Sequence, residues 1–185
     1  FMQKTVDDTY VIYRRTDQEE RDINFICRTM PQVMEYSQPT TAKLVDDQTL
    51  RTFRVAISAS GEYTQFHGGT KADALAAINA TLTRINAVFE RDLAITLELI
   101  DNTDLVIYTN PATDPYTGSL SAQVQSTLTN VIGEANYDIG HLFNQQDNTL
   151  DGNSGFIGAV CTDNRKGSGY TTLSSPTGDA FDIDL

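Results

Sequence analysis

The chain has 185 residues, of which 39% are hydrophobic and 21% are charged, the balance of an ordinary globular protein. Its formal net charge of −12 is uneven, because residues 1–91 carry 11 Lys/Arg and 12 Asp/Glu whereas residues 92–185 carry 2 and 13. Such an acidic surface repels phosphate backbones and argues against nucleic acid as a partner. No apolar run reaches the roughly 18 residues of a membrane span.

The N-terminal 49 residues differ in pattern from the rest of the chain. Residues 9–15 (TYVIYRR) and 23–29 (INFICRT) are rich in β-branched and aromatic side chains, which predicts two strands within a β-rich segment over residues 1–30. Residues 31–49 contain two prolines and no hydrophobic period, which predicts a linker. A compact domain is therefore expected over residues 50–185.

That domain opens with a strand and a long helix. Residues 50–58 alternate, with Phe53, Val55 and Ile57 on one face of the predicted strand. The polar stretch 60–69 is predicted to be a loop, and Thr70 is predicted to cap the helix that follows. This helix carries one apolar stripe, formed by Leu75, Ile78, Leu82, Ile85 and Phe89.

The second half of the domain alternates strands with one more helix. Residues 95–100 are predicted to form a strand, and residues 105–109 a third strand or an extension of it. A loop over residues 110–119 precedes a helix whose apolar stripe comprises Leu120, Val124, Leu128, Val131 and Ala135. Residues 137–143 and 155–161 are predicted to be short strands. This order predicts an α/β fold, with both helices packed on a twisted, mixed, mostly parallel sheet.

Five segments, in this order, carry a resemblance to a known family: VAISASGEYTQFHGGT (55–70), YDIGHLF (137–143), GFIGAVC (155–161), RKGSGYTT (165–172), which is interpreted as a loop, and GDAFDIDL (178–185). Together they resemble the N-terminal part of reprolysin-like zinc metallopeptidases, a branch of the metzincins. The resemblance implies a metzincin-like three-layer partial domain, preceded by a short β-rich propeptide remnant. It also implies an endopeptidase that is secreted or at the cell surface and cleaves peptide or protein substrates with a zinc-activated water.

In this family the zinc ligands and the general base come from an H-E-x-x-H helix, which the resemblance places beyond Leu185. The chain is therefore expected to be a fragment that is inactive alone. The family's edge strand binds substrate by backbone pairing, and the resemblance carries this role to Gly155, Phe156, Ile157 and Gly158. The alternative is an ordinary edge strand in which the glycines permit a bulge.

Two cysteines and two aspartates are further candidates for thiol or metal chemistry. Cys27 fits a propeptide switch on zinc, a buried cysteine or a disulfide, whereas Cys161 resembles an edge-strand cysteine whose partner lies beyond the zinc helix. Asp147 and Asp151 fit the first half of a calcium loop, but the closing glutamate is missing, and a polar turn is the alternative.

Other titratable residues are interpreted as structural. His67 and His141 are far apart in the sequence and have no second ligand at metal-binding spacing, so each is predicted to be a solvated or packed histidine. Asp179, Asp182 and Asp184 alternate along a predicted lead-in strand and are expected to form a solvated face.

Two functions other than catalysis are compatible with the sequence. One is an acidic extracellular α/β module that binds a peptide or calcium and has no catalytic helix. The other is a structural or inhibitory role, in which the chain occupies a partner's cleft.

Overall fold

The computed structural model describes residues 48–147 and 149–183, together with the backbone of residues 2–4 and 10–12. Within these residues the strands are β1 (Met2–Lys4), β2 (Tyr10–Ile12), β3 (Arg51–Ala59), β4 (Ile95–Leu99), β5 (Ile139–Gln145), β6 (Leu150–Asn153) and β7 (Gly169–Leu173). The α-helices of the described part are α1 (Gly61–Phe66), α2 (Lys71–Leu93), α3 (Leu120–Thr127) and α4 (Asp179–Asp182). Every helix among these residues is too short or too polar to cross a lipid bilayer.

Five strands form one mixed sheet in the order β4-β3-β5-β7-β6. The strands β4, β3, β5 and β7 are parallel, whereas β6 pairs antiparallel with β7 at one edge. β1 and β2 form a separate antiparallel pair. The predicted α/β fold with a mixed, mostly parallel sheet is therefore confirmed.

Helices cover both faces of the sheet, which gives three layers. On one face α2 and α4 pack over Val55, Ile57 and Phe143. On the other face α3, which continues as a π-helix over Leu128–Ile132, packs over Ala56 and Leu142. The neighbouring residues of β3 and β5 thus enter different cores, as the alternation of a strand requires.

The long helix α2 is capped at both ends by the residues that flank it. The Thr70 hydroxyl accepts a hydrogen bond from the Asp73 backbone N–H at 3.1 Å, as predicted for its N-cap. Ile78 and Leu82 of the predicted stripe are buried, and burial of each such side chain stabilises the fold by about 1.5–3 kcal/mol. The helix ends at Leu93, and the C-cap residue Ala94 has a left-handed φ of 52°, which stops the helical hydrogen bonding.

Residues 60–69, predicted to be a loop, contain the short helix α1. The Ser60 hydroxyl accepts a hydrogen bond from the Tyr63 N–H at 3.2 Å, and Tyr63 itself is buried. The predicted strand at 105–109 is also wrong, because Thr103–Val106 form a 3-10 helix and only Ile107 bridges to the sheet. In both places a tertiary contact selects the conformation that the local sequence leaves open.

The structure differs most from the sequence prediction at the edge of the sheet. Residues 155–161 form turns rather than a strand, because Gly155, Gly158 and Cys161 adopt positive φ angles of 77°, 76° and 61°. The edge strand is instead β6, within the segment interpreted as a calcium loop or polar turn. Its partner β7, Gly169–Leu173, overlaps residues 165–172, a stretch interpreted as a loop.

The end of the described chain departs from its prediction too. Residues 179–182 form the helix α4 rather than a strand, and Asp179 and Asp182 are buried rather than solvated. Both carboxylates contact the guanidinium of Arg84 on α2. Asp184, Cys27 and the predicted strand at 23–29 lie outside the described residues. The division into a propeptide-like segment (1–30), a linker (31–49) and a catalytic part (50–185) stays a prediction.

Candidate functional site

The two edges of the sheet differ in how their backbone groups are satisfied. At the β4 edge the Asn86 side chain donates to the Leu97 carbonyl at 2.9 Å and accepts from the Leu97 N–H at 2.8 Å. A side-chain amide therefore satisfies the backbone groups of Leu97, in the middle of this edge, as a neighbouring strand would. At the other edge, no described strand pairs with the outer side of β6.

The hydrogen bonding of β6 determines which groups face outward. The Ser174 N–H donates to the Thr149 carbonyl at 3.2 Å, so the bonds to β7 come from Thr149 and, by antiparallel alternation, from Asp151 and Asn153. Leu150 and Gly152 consequently direct their N–H and C=O groups away from β7. These outward groups are what an extended peptide requires for pairing at an edge.

A cavity of about 650 Å³ adjoins β6 on the face of the sheet that α3 covers. It lies at the carboxyl end of β5 and before the first turn of α3, the position at which open α/β sheets bind ligands. The residues that line it come from α1, β5, β6, β7, the loop before α3 and the first turn of α3. They include Glu62, Tyr116, Ser121, Asn144, Asp151 and Asn153.

Asp151 and Asn153 of β6 line this cavity because of their register. Asp151 pairs with Thr172 and Asn153 with Tyr170, and the Tyr170 hydroxyl donates to the Asp151 carboxylate at 3.1 Å. The Asn144 amide donates to the Thr172 hydroxyl at 3.0 Å, which links β5 to β7 on the same face. The cavity floor is thus a polar surface held by cross-strand hydrogen bonds.

A buried carboxylate fixes the opposite wall. Asp114 accepts hydrogen bonds from the Gly61 N–H at 2.7 Å and the Tyr116 N–H at 2.9 Å, so it joins α1 to the loop before α3. The Tyr116 hydroxyl lies 2.5 Å from the Ser58 hydroxyl of β3. Burial raises the pKa of Glu62 above its usual value, and the nearby carboxylate of Asp114 raises it further.

The residues predicted from the sequence to bind substrate lie just beyond this strand. Gly155 donates its N–H to the Asn153 side chain at 2.7 Å, and the Phe156 ring lies 5.5 Å from the Arg165 guanidinium. Ile157 is 53% exposed and Gly158 follows it in the same turn. Since these residues are not a strand, the edge strand predicted at residues 155–161 is wrong, while their role in substrate binding stays a prediction.

The candidate metal ligands are not brought together. Asp147 accepts from the Gln145 side chain at 3.0 Å, and Asp151 belongs to a strand rather than to a calcium loop. His67 and His141 each contact a protein oxygen, the Pro176 carbonyl at 3.1 Å and the Thr171 hydroxyl at 2.8 Å. Among the residues searched, no group of three or more His, Cys, Asp or Glu could hold a metal ion, so the described residues do not fit zinc.

One charged cluster was missed by sequence reasoning. Arg84 contacts Asp179 and Asp182, and the Thr81 hydroxyl donates to the Asp182 carboxylate at 2.7 Å. The spacing of the two aspartates by three residues, which places them on one side of a helix, was the available signal. The cluster ties α4 to α2 and so fixes the segment that follows β7.

Comparison with known proteins identifies the family. The family model described as metallo-peptidase family M12B, reprolysin-like, matches residues 49–185, which include every strand of the five-stranded sheet and all four α-helices. A search of curated proteins returns no match. The chain belongs to the reprolysin-like M12B metallopeptidases.

Proposed function

We propose that this chain is the substrate-binding part of a secreted, zinc-dependent endopeptidase and that it holds an extended peptide along the outer side of β6. The observation that carries the proposal is the outward direction of the N–H and C=O groups of Leu150 and Gly152 at an edge that no described strand covers. The family supports peptides or proteins as the substrate class.

The described residues bind and orient the peptide in this proposal. Backbone pairing with β6 fixes the direction and register of the substrate, which is how an enzyme converts binding into correct placement of the scissile bond. The zinc chemistry of the family is assigned to groups other than the described residues, because these do not provide a ligand set. The 185-residue chain is accordingly proposed to bind peptides without cleaving them.

A proline at Gly152 tests the proposal. Proline removes the outward N–H of β6 and adds a ring on the side that faces the peptide, while the bonds from Asp151 and Asn153 to β7 remain. We expect the dissociation constant of a fluorescein-labelled extended peptide, measured by fluorescence anisotropy, to rise about fivefold to tenfold. Far-UV circular dichroism checks that the variant keeps its fold.

Two controls separate edge pairing from other modes of binding. The same peptide with alternate amides N-methylated, which cannot donate to the Gly152 carbonyl, should bind the unmodified chain as weakly as the normal peptide binds Gly152→Pro. Mass spectrometry of the peptide after incubation should show no cleavage. Unchanged affinity for both Gly152→Pro and the methylated peptide would remove β6 as the binding site.

A further inference from the structure

The cavity beside β6 is lined by a buried side chain whose hydrogen-bonding capacity is only partly used. Asn144, near the carboxyl end of β5, is 6% exposed and lines the cavity. One N–H of its amide donates to the Thr172 hydroxyl at 3.0 Å, and within the described residues its side chain makes no other hydrogen bond. Because an asparagine amide has two N–H donors and an acceptor oxygen, Oδ1 and the second N–H of Asn144 remain for a ligand.

The amide of Asn144 is fixed in place before any ligand arrives. Its partner Thr172 is itself buried and belongs to β7, in the middle of the sheet. The hydrogen bond between them therefore holds the amide against a rigid element, and a group that is already oriented loses little conformational freedom on binding. Buried amides are normally fully hydrogen-bonded, so the remaining groups of Asn144 indicate a ligand rather than packing.

The first turn of α3 supplies hydrogen-bond donors on another part of the wall. Ser119, Leu120 and Ser121 line the cavity, and the first backbone N–H groups of a helix have no acceptor within the helix. The side chain of Ser119, the N-cap residue, makes no capping hydrogen bond. The buried hydroxyl of Ser121 also has no partner in the described part of the chain, so no hydrogen bond holds its rotamer. These groups can donate to an oxygen atom of a ligand.

An ionised ligand would use only part of this wall. An anion brings acceptors but no donors, so it leaves Oδ1 of Asn144 unpaired, and the carboxylates of Glu62 and Asp151 that line the cavity repel it. A cation brings donors but no acceptors, so it leaves the N–H groups of α3 unpaired. Asp151 is moreover already engaged, because it accepts from the Tyr170 hydroxyl at 3.1 Å and both residues take part in further interactions. The wall as a whole therefore fits a neutral ligand that has both kinds of group.

We infer that this cavity binds a neutral carboxamide, as carried by a glutamine or asparagine side chain of a peptide. The carbonyl oxygen of the ligand accepts from the first turn of α3, and its NH₂ group donates to Oδ1 of Asn144. A carboxamide fits better than a hydroxyl, because it carries its donor and its acceptor on separate atoms and can serve two parts of the wall at once. The inference rests on the proposed function for the peptide as the source of the amide, but it does not require pairing along β6.

The test compares three blocked single amino acids, the N-acetyl methylamides of glutamine, methionine and glutamate. Their backbones are identical and too short to pair along β6. Methionine has the shape of glutamine without its amide, and glutamate replaces the amide with an anion. Titrations of the full chain at neutral pH, followed by proton–nitrogen correlation NMR, should give a dissociation constant about threefold to tenfold lower for the glutamine probe than for the methionine probe. The side-chain amide signal of Asn144 should shift with the glutamine probe alone.

Two variants place the preference in the cavity. Asn144→Leu removes the amide but keeps a side chain of similar size, and it should abolish the preference for glutamine. Ser121→Ala removes a hydroxyl that no described residue bonds, so it should keep the fold and reduce the preference. The matched control is Ser126→Ala on the same helix, because the exposed Ser126 hydroxyl accepts from the Asn130 side chain at 3.2 Å and lies outside the cavity lining. Circular dichroism checks each fold, and Ser121→Ala decides alone if Asn144→Leu does not fold.

The outcomes distinguish this inference from the proposed function. Equal dissociation constants for the glutamine and methionine probes would overturn the amide site, and so would a preference that is unchanged in Ser121→Ala or retained in a folded Asn144→Leu. Tighter binding of the glutamate probe than of the glutamine probe would overturn it in favour of an anion site at α3. None of these results affects the peptide-binding edge, which is tested by the extended peptide and Gly152→Pro, and the three probes should bind that variant as they bind the unmodified chain.

Discussion

Replacement of Arg84 by methionine should destabilise the fold severely and in a pH-dependent way. The guanidinium of Arg84 contacts the carboxylates of Asp179 and Asp182, whose residues are only 3% and 9% exposed. Methionine retains an unbranched apolar stem, so the main change is loss of the positive charge and its hydrogen bonds. Two buried carboxylates on one helical turn would then face each other without this cation.

The expected loss in the free energy of unfolding follows from the burial of these three charged side chains. Removing one member of a buried ion pair costs about 3–5 kcal/mol, because it leaves an uncompensated buried charge. That is a large share of the roughly 5–15 kcal/mol that stabilises a typical domain. For a domain of this size it corresponds to a fall of about 6–20 °C in the melting temperature.

The pH dependence has a definite sign. Burial raises the pKa of Asp182 even beside Arg84, and removal of the guanidinium should raise it further. An aspartate whose folded-state pKa lies above its unfolded-state value contributes stability at low pH, and this is lost as pH rises through the folded-state pKa. The deficit of Arg84→Met should therefore be larger at pH 8 than at pH 4.5.

Urea denaturation followed by far-UV circular dichroism measures this, since the chain contains no tryptophan for a fluorescence assay. The matched control is Arg91→Met on the same helix, because Arg91 is exposed and pairs with the neighbouring Asp92. No shift of the unfolding midpoint is expected there. A loss for Arg84→Met that equals the control, or that is the same at both pH values, would refute the buried-charge argument.

Two further variants probe the interior. Gly140→Ala should destabilise the fold by about 1–3 kcal/mol in the same assay, because the added Cβ would lie 2.3 Å from a Leu128 methyl and 2.7 Å from the Gly167 Cα. An unchanged free energy of unfolding would show that α3 shifts freely to make room. Burial lowers the pKa of His141 to about 4, so the wild type should lose stability as pH falls from about 6.5 toward 4. His141→Gln, which keeps a donor for Thr171, should flatten this dependence, and identical pH profiles for the two proteins would contradict it.

The elements that the sequence predicts correctly are those with a strong hydrophobic period. The alternation of Phe53, Val55 and Ile57 predicts β3, and the stripe through Ile78 and Leu82 predicts α2. These patterns are read directly from residues that must be buried. The order of such elements was enough to predict the α/β layers and the mostly parallel sheet.

The sheet edge could not be predicted, because residues with strand-like propensity form a turn there and residues with a turn-like composition form the strand. Phe156 and Ile157 have high β-propensity, yet the glycines beside them adopt left-handed angles and form a turn. β6 reads Leu-Asp-Gly-Asn, a composition typical of turns, and becomes a strand only because β7 offers it a ladder. Local propensity is a weak guide where a distant partner provides the hydrogen bonds.

The same limit explains why the candidate site is visible only in the fold. In the sequence, Asn86 is an ordinary polar residue of a helix, and nothing indicates that it closes the β4 edge at Leu97. Asn86 satisfies the outward backbone groups of β4 at Leu97, whereas no described strand pairs with β6 at Leu150 and Gly152. The asymmetry of the two edges, which depends on no catalytic motif, therefore gives an independent physical reason to expect a peptide at β6.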